Sequence, residues 1–283
     1  MATSLTLLDG ETRTITAKIK PYDATNKLVM WNTSDNKIVM LSGGKTPDDS
    51  YEVTLYAGTQ LGTAEVKAIV YEFPYLEEGK KFENAITVKV AGEGEVLANF
   101  DLPWYKPGFN IGEPSHCPWY VHGRVAEVHG LRISFIKTPG TPGISGGDGG
   151  WWTRSFNFAE IIKNDGKGSW ITNSQGGPTL TPDELNARKA TNVRIETDPT
   201  MIKPKSVASF LFHVSGDYYG HVVFIEDVRI DKDGEKYVYF TDSNAGFGEG
   251  VVVKIEFSKF IKLFGETQTY DNTGVFQGYI QFD

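Results

Sequence analysis

Short runs of alternating apolar and polar residues fill the first third of the chain. In residues 12–20, Ile15, Ala17 and Ile19 alternate with threonine and lysine, which predicts a strand with one buried and one solvated face. Further strands are predicted at 27–31, 37–41, 51–56 and 64–71. Short strands separated by turn residues at regular spacing are typical of a β-sandwich.

The pattern changes after residue 95. Residues 91–109 are rich in glycine and proline and carry a shift in composition, which suits a domain boundary. We therefore predict two domains, 1–95 and 96–283. The first convincing helix follows at 118–129, where Pro118 suits the first turn and Gly130 suits the end.

Helices are also predicted at 156–163 and 182–189. Beyond residue 205 the apolar runs predict strands again, at 207–214, 221–230, 236–241, 250–257 and 278–282. Helices first and strands afterwards indicate an α+β second domain.

Composition and charge exclude several classes of function. The chain is 40% hydrophobic and 23% charged, which is typical of a folded protein, and its net charge of -8 argues against a nucleic-acid partner. No stretch of the chain reaches the run of about 18 apolar residues that a membrane-spanning helix needs. The N-terminus lacks the pattern of a signal peptide. A single cysteine excludes an internal disulfide and a multi-cysteine zinc site.

That cysteine, Cys117, is either an inert buried thiol or a nucleophile. It comes immediately before the predicted helix 118–129, and a helix N-terminus favours a thiolate and offers backbone N–H groups to an oxyanion. His221 opens an apolar strand and is the candidate base, with a rate expected to rise as it loses its proton. Asp242 and Asn244 end the next strand, and either could orient the imidazole.

The first domain resembles the group 2 bacterial immunoglobulin-like family. The matching pieces are Gly10-Glu11, residues 21–27 leading to Trp31, Ser34-Asp35, and Gly58 with Gly62-Thr63-Ala64. The resemblance implies an all-β immunoglobulin-like sandwich that serves as an adhesive or spacer module on a surface or a phage particle.

The second domain resembles the CHAP family of cysteine, histidine-dependent amidohydrolases and peptidases over roughly residues 100–283. The residues that carry this resemblance are Cys117-Pro118-Trp119-Tyr120, Gly123-Arg124, Pro204, residues 219–226 and Asp242-Ser243-Asn244. The resemblance implies a papain-like α+β fold that cleaves amide bonds of bacterial peptidoglycan.

By position, the resemblance implies Cys117 as nucleophile, His221 as general base, and Asp242 and Asn244 as the orienting acid and amide. His116 and Cys117 would hold the oxyanion. Glu226 is interpreted as structural. We expect neither a cofactor nor a metal. Aromatic side chains that could line a glycopeptide groove are Trp119, Tyr120, Trp151, Trp152 and Tyr219, although core packing explains at least half of them equally well.

Together these features predict a phage lysin carried on the virion tail, with peptidoglycan and other tail proteins as partners and no membrane or nucleic-acid partner. It would be made in the host cytoplasm and act at the host cell wall. Two alternatives stay open: a structural or adhesive tail protein whose papain-like domain only binds the wall, and a free endolysin.

Overall fold

The structure is a computed structural model that describes residues 4–17, 29–42, 52–58, 60–71, 81–106, 114–135, 152–155, 159–163, 193–214, 217–243, 246–263 and 275–282. These residues form mostly β-sheet with few helices. The chain divides into two compact units, Met1–Leu97 and Ala98–Asp283. The sequence had placed the division at residue 95.

The described part of the first unit is all-β, as predicted. Its strands are β1 (Ser4–Leu8), β2 (Thr12–Thr16), β3 (Met30–Thr33), β4 (Val39–Ser42), β5 (Glu52–Ala57), β6 (Gly62–Tyr71) and β7 (Lys81–Ala91). They form two sheets, ordered β1-β7-β6-β3 and β2-β5-β4. The β1–β7 pair is parallel and the other pairs are antiparallel.

A shared core lies between those two sheets. Val88 and Val90 of β7 are fully buried, as are Leu55 of β5 and Val39 of β4, and all four belong to one apolar cluster. Alternation explains this burial, because every second side chain of a strand points to the same face. The sequence analysis did not predict β1 or β7.

The described part of the second unit combines one long helix with a larger sheet. The helices in this part are α1 (Cys117–His129), α2 (Trp152–Ser155) and α3 (Phe257–Phe260), with 3-10 turns at Pro103–Tyr105 and Pro199–Met201. Its strands are β8 (Leu131–Phe135), β9 (Ala159–Lys163), β10 (Val193–Glu196), β11 (Ser206–Val214), β12 (Asp217–Ile230), β13 (Lys236–Thr241), β14 (Val253–Glu256) and β15 (Phe276–Phe282). A six-stranded sheet runs β10-β15-β11-β12-β13-β14, and β8 pairs with β9.

Both faces of this six-stranded sheet carry a core. Val222 and Phe224 of β12 pack in the cluster that contains the apolar residues of α1. Val223 and Ile225, which alternate with them, pack in a second cluster with Phe260 of α3. The apolar run of β12 is therefore buried on two sides, and α1 lies against one of them.

Helix α1 agrees with its predicted bounds, except that it begins one residue earlier, at Cys117. Gly130 ends it in the left-handed conformation, with φ of 62°, and its N–H donates to the Ala126 carbonyl. Gly123 lets another segment approach closely, since a Cβ there would lie 2.2 Å from the Tyr105 ring. Glycine is therefore required at this point of the helix.

The helix predicted at 156–163 is wrong where the structure describes it. Residues 159–163 form β9 instead, and Ile161 pairs with Ile133 of β8. Two consecutive isoleucines favour a strand once a partner strand is present, because β-branched side chains pack well on a pleated surface. The helix predicted at 182–189 lies outside the described residues, and no described helix is long and apolar enough to span a bilayer.

Candidate active site

Cys117 is the first residue of α1. The preceding turn, Pro114, Ser115 and His116, is exposed, whereas 7% of the Cys117 surface is accessible. Its backbone N–H lies in the first helical turn, where no preceding turn of the helix supplies a carbonyl acceptor. The thiol thus lies at the margin of the core, one residue from the solvent, beside an N–H group suited to an oxyanion.

His221 of β12 contacts this thiol. Its side chain is 6% exposed and lies close enough to the Cys117 side chain for a hydrogen bond between them to raise the pKa of the imidazole. The other side of the ring is also engaged, since Nε2 lies 2.8 Å from Oδ2 of Asp242. With Nε2 occupied by the carboxylate, Nδ1 is the ring nitrogen that remains for the sulfur.

Asp242 directly follows β13 and is fully buried. Its carboxylate fixes the orientation of the imidazole, while its backbone carbonyl accepts a hydrogen bond of 2.8 Å from the Gly250 N–H. The sequence left the orienting residue open between Asp242 and Asn244. Asp242 makes the contact, whereas Asn244 lies outside the described residues.

The surroundings of His221 favour its charged form. Burial by itself would lower the pKa of this imidazole, but hydrogen bonds and negative charge from Asp242 and Cys117 outweigh burial and raise the pKa from 6.5 to about 9. An imidazolium held between a sulfur and a carboxylate can store a proton at neutral pH. It can later deliver that proton to a leaving group.

A buried ion pair also joins α1, the helix of Cys117, to β12, the strand of His221. Arg124 follows Cys117 by two helical turns, and its guanidinium meets Glu226 of β12 with two hydrogen bonds of 2.7 and 2.9 Å. Their side chains are 3% and 0% exposed. Thr241 donates a further bond of 2.8 Å to Glu226, and Lys205 lies 3.4 Å from it.

Burial would raise the pKa of Glu226, but the Arg124 and Lys205 charges lower it from 4.5 to about 2. Arg124 also contacts Glu127 at 2.9 Å. Glu127 in turn accepts a hydrogen bond of 2.8 Å from the Tyr105 hydroxyl. The structural role of Glu226 is therefore specific: it is the buried anion that holds α1 on β12.

The predicted aromatic groove needs correction. Trp119, Tyr120 and Trp152 are 6%, 0% and 1% exposed and belong to the core cluster around α1. Trp119 stacks on Phe100 with ring centroids 6.0 Å apart. These three rings fill the interior, because burying large apolar area stabilises the fold more than surface exposure would.

The remaining predicted site residues are placed less fully. Tyr219 lies in β12, but its side chain, like the whole of Trp151, is outside the described part of the structure. His116 is exposed at the N-cap of α1, where its side chain makes no capping hydrogen bond. Its role as an oxyanion donor stays a prediction. Within the described residues, no three His, Cys, Asp or Glu side chains cluster so that they could hold a metal ion.

One further contact beside the thiol was not predicted from the sequence. The Ser243 hydroxyl donates a hydrogen bond of 2.6 Å to the Ser115 carbonyl, two residues before Cys117. The sequence signal was the position of Ser243 between the two candidate orienting residues. Nothing in the local pattern could show that its hydroxyl reaches a turn 128 positions earlier.

Comparison with known proteins adds little. No protein-family model matches the chain, and no curated protein matches it. Among solved structures, the PKD domain of the KIAA 1837 protein is similar at 19% identity and a TM-score of 0.24, over 35% of this chain and 87% of that one. Domains 5–6 of the S-layer protein SbsC are similar at 12% identity and a TM-score of 0.25, over 90% and 93%. Similarities at such low TM-scores support no conclusion about function.

The ion pair around Glu226 predicts a pH-dependent loss of stability. Because its folded pKa is depressed, the stabilisation is complete above about pH 4.5 and is lost as the pH falls towards about 2. Glu226→Gln should lower the free energy of unfolding by about 3 kcal/mol at neutral pH, since Arg124 keeps a buried charge. Urea unfolding at a series of pH values would measure this, and the variant should lose less stability than the wild type between pH 4.5 and 2.

Glu256→Gln is the matched control. Glu256 lies 2.9 Å from Lys259, but their side chains are 35% and 65% exposed. Its loss should cost less than about 1 kcal/mol, because solvent screens an exposed pair. Equal destabilisation by the two substitutions would contradict the role given to Glu226.

Proposed function

We propose that this protein is a cysteine hydrolase that cleaves amide bonds of bacterial peptidoglycan, with Cys117 as nucleophile. The observation that carries the proposal is one continuous line of contacts. The Cys117 thiol meets the His221 imidazole, whose Nε2 lies 2.8 Å from the Asp242 carboxylate. A nucleophile, a base and a group that orients the base are the three parts that thiol hydrolysis requires.

The proposed reaction proceeds in two halves. At the start His221 holds the proton, and the deprotonated sulfur attacks the amide carbonyl carbon, while the Cys117 backbone N–H stabilises the oxyanion. His221 then gives its proton to the departing amine as the C–N bond breaks, which leaves a thioester. Water gives a proton to His221 and its oxygen attacks that thioester, and the C–S bond breaks to release the acid and restore the sulfur beside a protonated His221.

The substrate class rests on the resemblance to the CHAP family and not on the geometry. The residues of that resemblance lie at the contacts just described: Cys117 begins α1, His221 lies in β12 and Asp242 follows β13. The papain-like identity of the second unit and the immunoglobulin-like identity of the first are part of the same proposal. In it, the first unit attaches the enzyme to a phage tail.

The alternative of a wall-binding protein without activity explains the site less well. A binding module has no need of a buried imidazole whose pKa is raised by both a carboxylate and a thiol. Glu226, a structural anion, shows the opposite behaviour, since the charges of Arg124 and Lys205 balance it and lower its pKa.

A virion lysin and a free endolysin differ in whether the protein is part of the phage particle. An endolysin with a wall-binding domain is expected to carry its catalytic domain first, which is the reverse of the proposed order here. Mass spectrometry of purified phage particles should detect this protein if it is a tail component, bound to other tail proteins. Its absence from the particles would eliminate the virion assignment and favour release at lysis.

Digestion of purified peptidoglycan tests the chemistry. Cys117→Ser and His221→Gln should each lower the rate at least about a thousandfold, because each removes a member of a unit that acts together. His129→Gln is the matched control: His129 is also on the inner side of α1, with Nε2 2.7 Å from the Lys205 carbonyl, at the opposite end of the helix from Cys117. The rate of His129→Gln should stay near that of the wild type.

Equal loss of turbidity with wild type and Cys117→Ser would refute the assignment of Cys117 as the nucleophile. Mass analysis of the products would identify the bond that is cleaved.

The raised pKa of His221 revises the expected pH profile. An imidazole of ordinary pKa predicts a rate that rises as the ring loses its proton. With a pKa of about 9, His221 holds the proton that the leaving amine needs across the neutral range, so kcat/KM should fall as the pH rises through about 9.

Asp242→Asn should move that alkaline limb to lower pH, because it removes a negative charge that raises the pKa of His221. Asp231→Asn is the control, since Asp231 caps the exposed turn between β12 and β13. Its profile should match the wild type. A limb that stays at the same pH in Asp242→Asn would show that another group controls it.

A further inference from the structure

Ser243 lies directly after Asp242 and is nearly fully buried, with 1% of its surface exposed. Its Oγ donates to the Ser115 carbonyl at 2.6 Å, which is short for a hydroxyl hydrogen bond. This bond joins the end of β13 to the exposed turn that leads into α1. The two serines are 128 positions apart in the chain, so the bond is a tertiary contact and not part of a local turn.

Ser115 has an unusual backbone conformation. Its φ is 68°, in the left-handed region that residues other than glycine seldom adopt. Such a conformation persists where surrounding contacts hold it in place. The hydrogen bond from Ser243 is such a contact, and one residue, His116, separates Ser115 from Cys117.

The donor is itself held firmly. The backbone carbonyl of Asp242 accepts a bond of 2.8 Å from Gly250, and the Asp242 side chain holds His221 at 2.8 Å. Two consecutive residues therefore contact the imidazole of the proposed catalytic pair and the turn that precedes its thiol. Asp242 orients the imidazole, and Ser243 holds the turn from which the thiol projects.

We infer that Ser243 is a positioning residue that keeps the Cys117 thiol in contact with His221 by holding the Ser115 carbonyl. The inference rests on the proposed function and deepens it. Without this hydroxyl, the turn can relax out of its left-handed conformation, and the sulfur moves away from the imidazole that takes its proton. The rate of acyl transfer then falls, whereas binding of the substrate is unchanged.

Ser206 supplies a matched control within the same unit. Its hydroxyl donates to the Lys203 carbonyl, also at 2.6 Å, and it is likewise 1% exposed. Ser206→Ala and Ser243→Ala therefore each remove a hydroxyl that donates to a backbone carbonyl at the same distance and burial, although the Ser206 bond is local to one turn. Ser206 begins β11 and makes no described contact with the thiol or the imidazole.

The experiment measures alkylation of Cys117 by iodoacetamide in the full chain at pH 6 and pH 9. The rate at pH 6 divided by the rate at pH 9 reports how much of the thiol is ionised at the lower pH. This ratio does not depend on how accessible the sulfur is, because access affects both rates equally. Ser243→Ala should lower this ratio about tenfold relative to Ser206→Ala, and should lower kcat on peptidoglycan about tenfold with KM within about twofold. The two variants should unfold at similar temperatures.

Two results would overturn the inference. One is an alkylation ratio and kcat in Ser243→Ala that equal those of Ser206→Ala. The other is a much larger loss of thermal stability in Ser243→Ala, which would make the hydroxyl a general structural group. Failure of the proposed function is distinguishable, because alkylation needs no substrate: a wild type that leaves peptidoglycan intact would refute the substrate and still allow the thiol to be compared.

Discussion

Arg124 and Glu226 face each other in the interior of the second unit, where neither charge has access to water. Each would be strongly unfavourable there without the other, so the two bonds of 2.7 and 2.9 Å between them fix α1 against β12. A helix fixed in this way has little freedom to slide. The position of Cys117, two turns earlier on the same helix, follows from that constraint, and so does its contact with His221 on the same strand.

The two polar contacts between α1 and β12 have opposite electrostatic character. Glu226 is a buried anion surrounded by the cations of Arg124 and Lys205, which lower its pKa to about 2. His221 is a buried base beside the acidic groups of Asp242 and Cys117, which raise its pKa to about 9. The first arrangement keeps one charge state over the whole physiological range and suits a structural role. In the second arrangement, the imidazole of His221 can both gain and lose a proton, and a catalytic base needs that property.

For the aromatic residues, residue type alone was insufficient to predict whether a side chain lies on the surface or in the core. The sequence left Trp119, Tyr120 and Trp152 open between a substrate groove and core packing, and they build the core that contains the apolar residues of α1. An indole or phenol ring suits a sugar-binding surface and a protein interior equally well, and local sequence does not distinguish the two. The segment at 159–163 failed for a related reason, since its two isoleucines became a strand through pairing with β8.

What the sequence determined by itself was local. Pro118 and Gly130 bounded α1 to within one residue, and short runs of apolar residues located β5, β6 and β13. These features depend on backbone preferences of neighbouring residues, which are present in any short stretch. The tertiary structure alone decided which distant residues meet: Arg124 with Glu226 across 102 positions and Ser243 with Ser115 across 128. Such contacts arise when a helix docks on a completed sheet, and no periodicity along the chain encodes that docking.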